Sequence, residues 1–298
     1  MTRPERSWAR RFRYALETFS ATIAYWLFGL LPLDAASGLG GGIGRRVGPG
    51  LPSSDVARRN LAAAFPGKSA AELEDIVAGM WDNLGRVFAE YAHLRCIWER
   101  VELAGGEHLA AARDSGRPSL FFAAHIANWE ICPISAKKIG FDIYPVYRRP
   151  NNPGVEGLLR RARGAGAAGL IAKGAGGARE MLAVLRKNGA LGILMDQKLG
   201  EGVPVPFFGR DAMTASAIAL FALRFECPVY PVRLERLRGA WFRETVYPPL
   251  DIPRSGDREQ DIRLLLTEIN RQLENWIRER PEQWLWIHRR WPDEQTEF

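Results

Sequence analysis

The feature that most constrains this chain is a run of five apolar residues, 120–124, that ends directly at His125. Such a run is typical of a strand buried on both faces of an α/β sheet. A turn and a helix are expected next, with Asn128 as the helix N-cap and Glu130 in the first turn. Ligands and catalytic groups in open α/β sheets gather beyond the carboxyl ends of the strands. The sequence therefore predicts a functional site at His125.

The pair formed by His125 and Glu130 has two interpretations. A carboxylate just around the turn could orient the imidazole and stabilise its protonated form, which a histidine needs to take a proton from an alcohol. A core histidine hydrogen-bonded to a nearby acid would show the same spacing, because the two residue types often occur together. The spacing alone leaves both possibilities open.

From residue 100 onward, predicted strands and helices alternate, which favours an α/β sandwich. The strands are predicted near 101–103, 119–124, 142–147, 168–172, 190–195, 228–234 and 241–247. The helices are predicted near 106–115, 128–139, 154–164, 175–188, 214–226 and 257–279.

Two other predicted strands end in polar residues, one before Arg148 and Arg149 and one before Asp196 and Gln197. Adjacent arginines at a strand end are well placed to hold a phosphate or a developing oxyanion, although a solvated loop could have the same composition. Asp196 could pair with an arginine across the edge of the sheet, or it could simply cap a loop.

Several common sites are not predicted. Residues 164–169 satisfy GxGxxG, but they follow a charged helical stretch rather than a strand, which argues against a dinucleotide site. No GxxxxGK[ST] motif occurs. Cys96, Cys132 and Cys227 form no CxxC pair, so they are interpreted as reduced thiols and no zinc site is expected.

The net charge of +7 indicates an anionic partner: a nucleic acid, a membrane surface or a phosphorylated substrate. The N-terminus fits a membrane best. Residues 1–14 are rich in arginine, and 18–33 is an apolar segment without charged residues. It is short for a spanning helix, which needs about 20 apolar residues, and arginines follow as well as precede it. We expect a helix seated in the inner leaflet; a signal peptide, a spanning helix and a core helix are the alternatives.

The next segment, 38–50, is rich in glycine and is predicted to be a flexible connection. Two helices should follow. The first covers 53–65 and ends before Pro66. The second, long helix opens at the capping box 69–72 and carries an apolar stripe that is predicted to be core.

Four ordered blocks carry a resemblance to a known family: His125-Ile-Ala-Asn-Trp-Glu130, the box 147–153 (Tyr-Arg-Arg-Pro-Asn-Asn-Pro), Asp196-Gln197 with Val-Pro-Phe-Phe-Gly at 205–209, and the aromatic and basic segment 281–291. The chain resembles the late acyltransferases of lipid A biosynthesis, the lauroyl/myristoyl transferase family within the glycerolipid acyltransferase superfamily. The first block is similar to the His-x4-Asp/Glu box of that superfamily.

The resemblance implies an α/β fold with a glycerolipid-acyltransferase-like mixed sheet flanked by helices. A helical N-terminal region with a membrane-associated helix would precede it. We accordingly divide the chain into an N-terminal part, 1–50, and an acyltransferase domain, 51–298. The domain would consist of a helical lead-in, 51–99, and an α/β core, 100–298.

The resemblance also implies transfer of a fatty acyl group from acyl carrier protein to a hydroxyl of a lipid A precursor, an anionic glycolipid. The enzyme would work at the cytoplasmic face of the bacterial inner membrane, without a metal, a cofactor or nucleic acid. His125 would be the general base and Glu130 its orienting partner. The expected substrate-binding residues are Asn128, Arg148, Arg149, Asp196 and Gln197.

Alternatives remain open from the sequence. Coenzyme A could replace acyl carrier protein as the donor, and either arginine of the 147–153 box could be the one that binds substrate. The acceptor could be an ornithine lipid or a glycerophospholipid. A protein that binds nucleic acid or an anionic surface is a different class, but the arginines are scattered along the chain. A thiol enzyme that uses Cys132 with His125 is also conceivable.

Overall fold

The computed structural model describes residues 5–164, 169–198 and 202–291, and a mixed, mostly parallel sheet lies at its centre. The strands are β1 (Val101–Ala104), β2 (Ser119–Ala123), β3 (Ile143–Tyr147), β4 (Ile171–Ala172), β5 (Ala190–Leu194), β6 (Val203–Phe207), β7 (Arg210–Thr214), β8 (Val229–Arg238) and β9 (Trp241–Val246). The helices are α1 (Glu5–Gly29), α2 (Leu33–Val47), α3 (Ser53–Ala64), α4 (Ala70–Glu90), α5 (Gly106–Asp114), α6 (Cys132–Lys138), α7 (Pro153–Arg163), α8 (Ala175–Arg186), α9 (Ala217–Phe225) and α10 (Arg258–Glu279).

The strand order in the main sheet is β1-β9-β8-β2-β5-β3-β4. All its pairs are parallel except β8 with β9. Each residue of β2 is buried, as the run 120–124 predicted, because apolar clusters cover both faces of this central strand. The predicted α/β fold with a mixed sheet flanked by helices is confirmed.

Two local predictions were wrong. Thr214 does not open a helix: it ends β7, which pairs with β6 in a hairpin that the sequence analysis missed. Its turn residues, Phe208 and Gly209, both have a positive φ, as a tight hairpin turn requires. The helix predicted at 128–139 is shorter and begins only at Cys132, so Asn128 is not its N-cap.

The glycine-rich segment 38–50 is not a flexible connection. Most of it belongs to α2, which packs along α4. Gly40 and Gly44 lie against Gly85 of α4 so closely that a Cβ at either position would collide with α4 backbone. The glycines serve close helix packing, and composition alone cannot distinguish that role from flexibility.

Two helices of the lead-in lie where they were predicted. The capping box opens α4, since Ser69 and Glu72 each bond to the backbone of the other. Most of the predicted core stripe of α4 is buried, but Phe88 is exposed.

The first helix, α1, presents an apolar face to the exterior. Its exposed large side chains recur at helical spacing and are Trp8, Phe12, Leu16, Phe19, Ile23, Trp26 and Leu27. Asn152, the N-cap of α7, donates to the Tyr14 carbonyl and thereby fixes α1 beside α7. Within the described ranges, no helix combines the length and apolar character needed to cross a bilayer.

Candidate active site

A cavity of about 280 Å³ opens at the carboxyl end of the parallel strands. Side chains just beyond strand ends contribute part of its polar lining: His125 after β2, Arg148 after β3, Lys173 after β4 and Gln197 after β5. Glu130, Arg163, Glu244 and His288 contribute the rest of the charged and imidazole groups. The rest of the lining is largely apolar and includes Phe121, Ala123, Ile143, Ile193 and Leu194. The rule that ligands bind beyond the carboxyl ends of strands therefore located this cavity.

Sheet register brings His125 to Asp196. Because Ala123 of β2 lies beside Leu194 of β5, the residues two positions further along are also neighbours. The His125 Nδ1 lies 2.9 Å from Asp196 Oδ1, and the His125 backbone N–H donates to Oδ2 at 3.0 Å. This contact joins two residues 71 positions apart in sequence.

Asp196 is fully buried and ionised. Burial alone would raise its pKa. The charge of a protonated His125, hydrogen bonds from His125 and the indole N–H of Trp284 at 2.7 Å outweigh burial and hold the pKa well below its usual value. An ionised carboxylate at Nδ1 places a proton on that nitrogen and leaves Nε2 with a lone pair that can accept a hydrogen bond or a proton. His125 is therefore in the tautomer that a general base requires.

The C-terminal segment completes the surroundings of His125. The Leu285 N–H donates to the His125 carbonyl at 3.1 Å, which brings Trp284 to Asp196 and His288 to Gln197. The Gln197 amide nitrogen lies 3.1 Å from His125 Nε2 and 2.8 Å from His288 Nε2. Two amide hydrogens can serve both imidazoles.

His288 is expected to be neutral. Burial and the nearby charge of His125 lower its pKa to about 4. Its Nε2 can therefore accept a hydrogen bond from Gln197 at neutral pH. The aromatic and basic character of 281–291 in the sequence gives no indication that His288 lies near His125.

The predicted partner of His125 has to be corrected. Glu130 lines the cavity but binds elsewhere: Arg163 holds both its oxygens at 2.6 Å, and the Tyr91 hydroxyl donates to it at 2.5 Å. Burial opposes its ionisation, but Arg163 and the hydrogen bonds keep its pKa below the usual value. Ala127, with φ of +51°, turns the backbone before any helix begins. Within the described part of the chain, Glu130 bonds to Arg163, Tyr91 and Trp129 rather than to His125.

Asn128 is also placed differently from its prediction. It is fully buried, its amide donates to Glu90 at 2.8 Å, and its oxygen accepts from the Glu130 N–H at 3.3 Å. Glu90 is in turn paired with buried Arg236, at 2.5 Å. Asn128 therefore supports the turn that carries the site and does not face the cavity.

The structure separates the two arginines that the sequence left equivalent. Arg148 lines the cavity, whereas Arg149 is 60% exposed and pairs with Glu156 at 3.0 Å. Lys173, which the sequence analysis missed, also lines the cavity. Burial and the charge of Arg148 lower the pKa of Lys173. The strand-end rule could have found Lys173, because a strand was predicted at 168–172.

The structure bears on two alternatives from the sequence, a thiol enzyme that uses Cys132 and the GxGxxG motif. Cys132 lines the cavity, but burial raises the pKa of its thiol well above the usual value. A thiol that resists ionisation is a poor nucleophile, which argues against a thiol enzyme. The GxGxxG stretch lies mostly outside the described residues; its first glycine, Gly164, ends α7.

Comparison with known proteins gives a consistent result. The model of a family described as bacterial lipid A biosynthesis acyltransferase matches residues 3–293. The chain is 26% identical to a lipid A biosynthesis palmitoleoyltransferase of Escherichia coli K12, over 96% of this chain and 95% of that protein. It is 24% identical to a lipid A biosynthesis lauroyltransferase of the same strain, over 89% and 88%.

Proposed function

The chain belongs to the bacterial lipid A biosynthesis acyltransferase family, and we propose that it transfers a fatty acyl group from acyl carrier protein to a hydroxyl of a lipid A precursor. The observation that carries the proposal is the His125–Asp196 pair at the edge of a largely apolar cavity. A base beside an acyl-sized cavity suits attack of an alcohol on a thioester.

His125 acts as the general base. Its Nε2 removes the proton of the acceptor hydroxyl as the oxygen attacks the thioester carbonyl. The C–S bond then breaks, and the thiolate leaves with the proton that the imidazolium returns. Asp196 stabilises the imidazolium formed between the two steps, at 2.9 Å from Nδ1.

Gln197 occupies the position at Nε2 that the acceptor hydroxyl needs, since its amide nitrogen is 3.1 Å away. The hydroxyl replaces this amide when the acceptor binds. Gln197 therefore keeps the lone pair of His125 occupied until substrate arrives, and the bond to His288 at 2.8 Å holds the amide nearby.

Arg148 and Lys173 supply positive charge to the cavity. We assign to them the phosphate of the acceptor and the oxyanion that develops on the thioester carbonyl. Charge-assisted hydrogen bonds are roughly twice as strong as neutral ones, and they act most strongly where charge develops.

The apolar floor of the cavity offers room for acyl chains on both sides of β2, toward β5 and β3 and toward β8 and β9. Gly192 of β5 sits between Phe121 and Pro145 of the flanking strands, and all three line the cavity. A Cβ at this position would approach the Ile143 side chain at 3.2 Å, so a larger residue would narrow the space.

The exposed face of α1 seats the enzyme on the cytoplasmic face of the inner membrane. Its apolar side chains would enter the headgroup region, while Arg10, Arg11 and Arg13 attract anionic lipids. Removal of residues 1–33 is expected to shift the protein toward the soluble fraction and to weaken transfer to lipid acceptors. Cysteines introduced near residue 55 should resist an impermeant thiol reagent applied from the periplasm; efficient labelling would contradict this topology.

The decisive experiment combines purified protein, acyl carrier protein loaded with a fatty acid, and a lipid A precursor, with the product identified by mass spectrometry. We expect His125→Ala to reduce transfer by roughly 10²–10⁴-fold or more, because the general base is lost. His108→Ala, at a histidine of α5 that does not line the cavity, is the matched control. Full activity in a folded His125→Ala variant would refute the mechanism.

A further inference from the structure

One carboxylate of the cavity takes no part in this chemistry. Glu244 of β9 is 1% exposed and lines the same cavity as His125. The hydroxyl of Ser135, on α6, donates to its Oε2. Among the residues that the structure describes, no arginine or lysine forms an ion pair with Glu244. A buried carboxylate without a counter-charge is unusual, because burial strongly disfavours the ionised form.

Glu244 is therefore expected to be protonated at neutral pH. Burial raises its pKa to about 8, and the hydrogen bond from Ser135 lowers it only in part. A protonated carboxyl and a hydroxyl together offer two O–H donors. The Ser135 hydroxyl donates to Glu244 rather than to the Ile131 carbonyl, which is 3.5 Å away and too distant for a good hydrogen bond. One donor and several lone pairs remain for a ligand. A hydroxyl group, which both donates and accepts, complements this pair.

The pair lies at a distance from the reacting centre. Strand β8 lies between β2 and β9 in the sheet, so neighbouring-strand spacing puts β9 about 10 Å from the strand that ends at His125. Leu109, Phe121, Ala123 and Val232 supply apolar lining in this part of the cavity. A chain whose carbonyl carbon sits at His125 would cross this apolar stretch before it reaches Glu244.

We propose that Glu244 and Ser135 recognise a hydroxyl group carried on the acyl chain of the donor, several carbons from the thioester. The inference rests on the acyl transfer proposed above. An unsubstituted chain would leave the carboxyl O–H without a partner, and the lack of a counter-charge disfavours an anionic group. Sites built to bind a substrate hydroxyl discriminate against the analogue that lacks it, because their own polar groups are left unpaired.

The test uses the full chain and two fatty acids of equal length, one unsubstituted and one with a hydroxyl midway along the chain. Calorimetry measures binding of the free acids, and transfer is measured from the corresponding acyl carrier protein thioesters. We expect the wild type to prefer the hydroxylated chain by at least about tenfold in both assays. The double variant Glu244→Leu with Ser135→Ala should lose this preference.

Two further variants guard against a folding artefact. Glu244→Gln keeps a donor and an acceptor and should retain most of the preference. Glu102→Leu replaces an exposed glutamate of β1 outside the cavity and should leave the preference unchanged.

The outcomes separate the two proposals. If the wild type binds and transfers both chains equally well, or if the folded double variant keeps the preference, the recognition site is wrong while acyl transfer stands. If the double variant does not fold, the two single changes Ser135→Ala and Glu244→Gln decide, and an undiminished preference in Ser135→Ala would overturn the role of the pair. If the wild type neither binds nor transfers either chain, the proposed function fails and this inference falls with it.

Discussion

Glu130 and Asp196 are two buried carboxylates in one cavity region, but only Asp196 contacts the imidazole of His125. Glu130 is five residues from His125 in sequence and is held by Arg163. Asp196 is 71 residues away and is brought close by the register of two parallel strands. Asp196 follows the strand next to β2, and the register of the two strands brings it to His125. Glu130 follows the same strand as His125, but an irregular turn separates the two residues.

The partners of these two carboxylates differ in chemistry as well as position. Arg163 keeps its charge at any working pH, so its pair with Glu130 is a permanent one. His125 changes its charge during general base catalysis. Asp196 is therefore paired with an imidazole that is protonated in one step and deprotonated in the next. The first arrangement fits a role in holding the cavity together, and the second fits a role in the reaction.

The largest effect is expected at Asp196. Asp196→Asn keeps the size of the side chain but presents an amide N–H to Nδ1, which favours the wrong imidazole tautomer. Loss of this kind should lower kcat by roughly 10³–10⁴-fold, with little change in the thermal midpoint. Single-turnover transfer and thermal unfolding measure the two quantities. Comparable activity in Asp196→Asn and wild type would mean that Asp196 does not orient the base.

Glu130→Gln is expected to act on stability instead. The change leaves the guanidinium of Arg163, which is only 17% exposed, without its counter-ion. Breaking such a pair costs about 3–5 kcal/mol in free energy of unfolding. Denaturant unfolding measures this loss, and activity per folded molecule should fall much less than in Asp196→Asn. A stable Glu130→Gln enzyme with activity as low as that of Asp196→Asn would restore the sequence-based assignment.

The site could be located from the sequence because each strand end is marked by an apolar run followed by polar residues. The buried run before His125 and the polar residues after the other strands predicted one edge of the sheet, and His125, Arg148, Asp196 and Gln197 do meet there. Strand order could not be predicted, so the pairing of His125 with Asp196 was hidden until β2 and β5 proved to be neighbours.

Other failures have local causes. A positive φ at Ala127 is uncommon for a residue with a Cβ, and the turn it makes lies between His125 and both Asn128 and Glu130. The glycines of α2 indicated flexibility by composition, whereas their function is to let α2 and α4 approach closely. In both cases tertiary contacts override the local preference that a sequence pattern reports.

Arg148 and Arg149 are adjacent in sequence but also differ in their surroundings. Arg148 lines the cavity, so Arg148→Ala should raise the KM for the anionic acceptor about tenfold and affect the donor less. Arg149→Ala is the matched control, because Arg149 is exposed and pairs with Glu156. Steady-state kinetics with each substrate varied in turn distinguishes them. Equal effects of Arg148→Ala on both substrates, or none, would indicate a solvated loop.

Glu244 extends the comparison to a carboxylate for which the described residues supply no cationic partner. Its pKa is raised, whereas those of Glu130 and Asp196 are lowered, so its contribution to stability should depend on pH in the opposite sense. Its pKa is raised from the ordinary value of 4.5 to about 8, because burial disfavours the charged form. The folded state therefore holds a proton that the unfolded state releases between these two values. The stability that this proton supports is fully present below pH 4.5 and is lost as pH rises through about 8.

Glu244→Gln cannot ionise, so it should escape that loss. The difference in thermal midpoint between Glu244→Gln and wild type should become more positive from pH 5 to pH 8.5, by at least about 2 °C. Cys132 is a titratable group that interacts with Glu244, so the measurement is repeated in a Cys132→Ser background. Glu102→Gln, at an exposed carboxylate, controls for the loss of a negative charge. A difference that stays constant with pH would show that Glu244 is ionised in the folded protein, and the hydroxyl donor assigned to it would be absent.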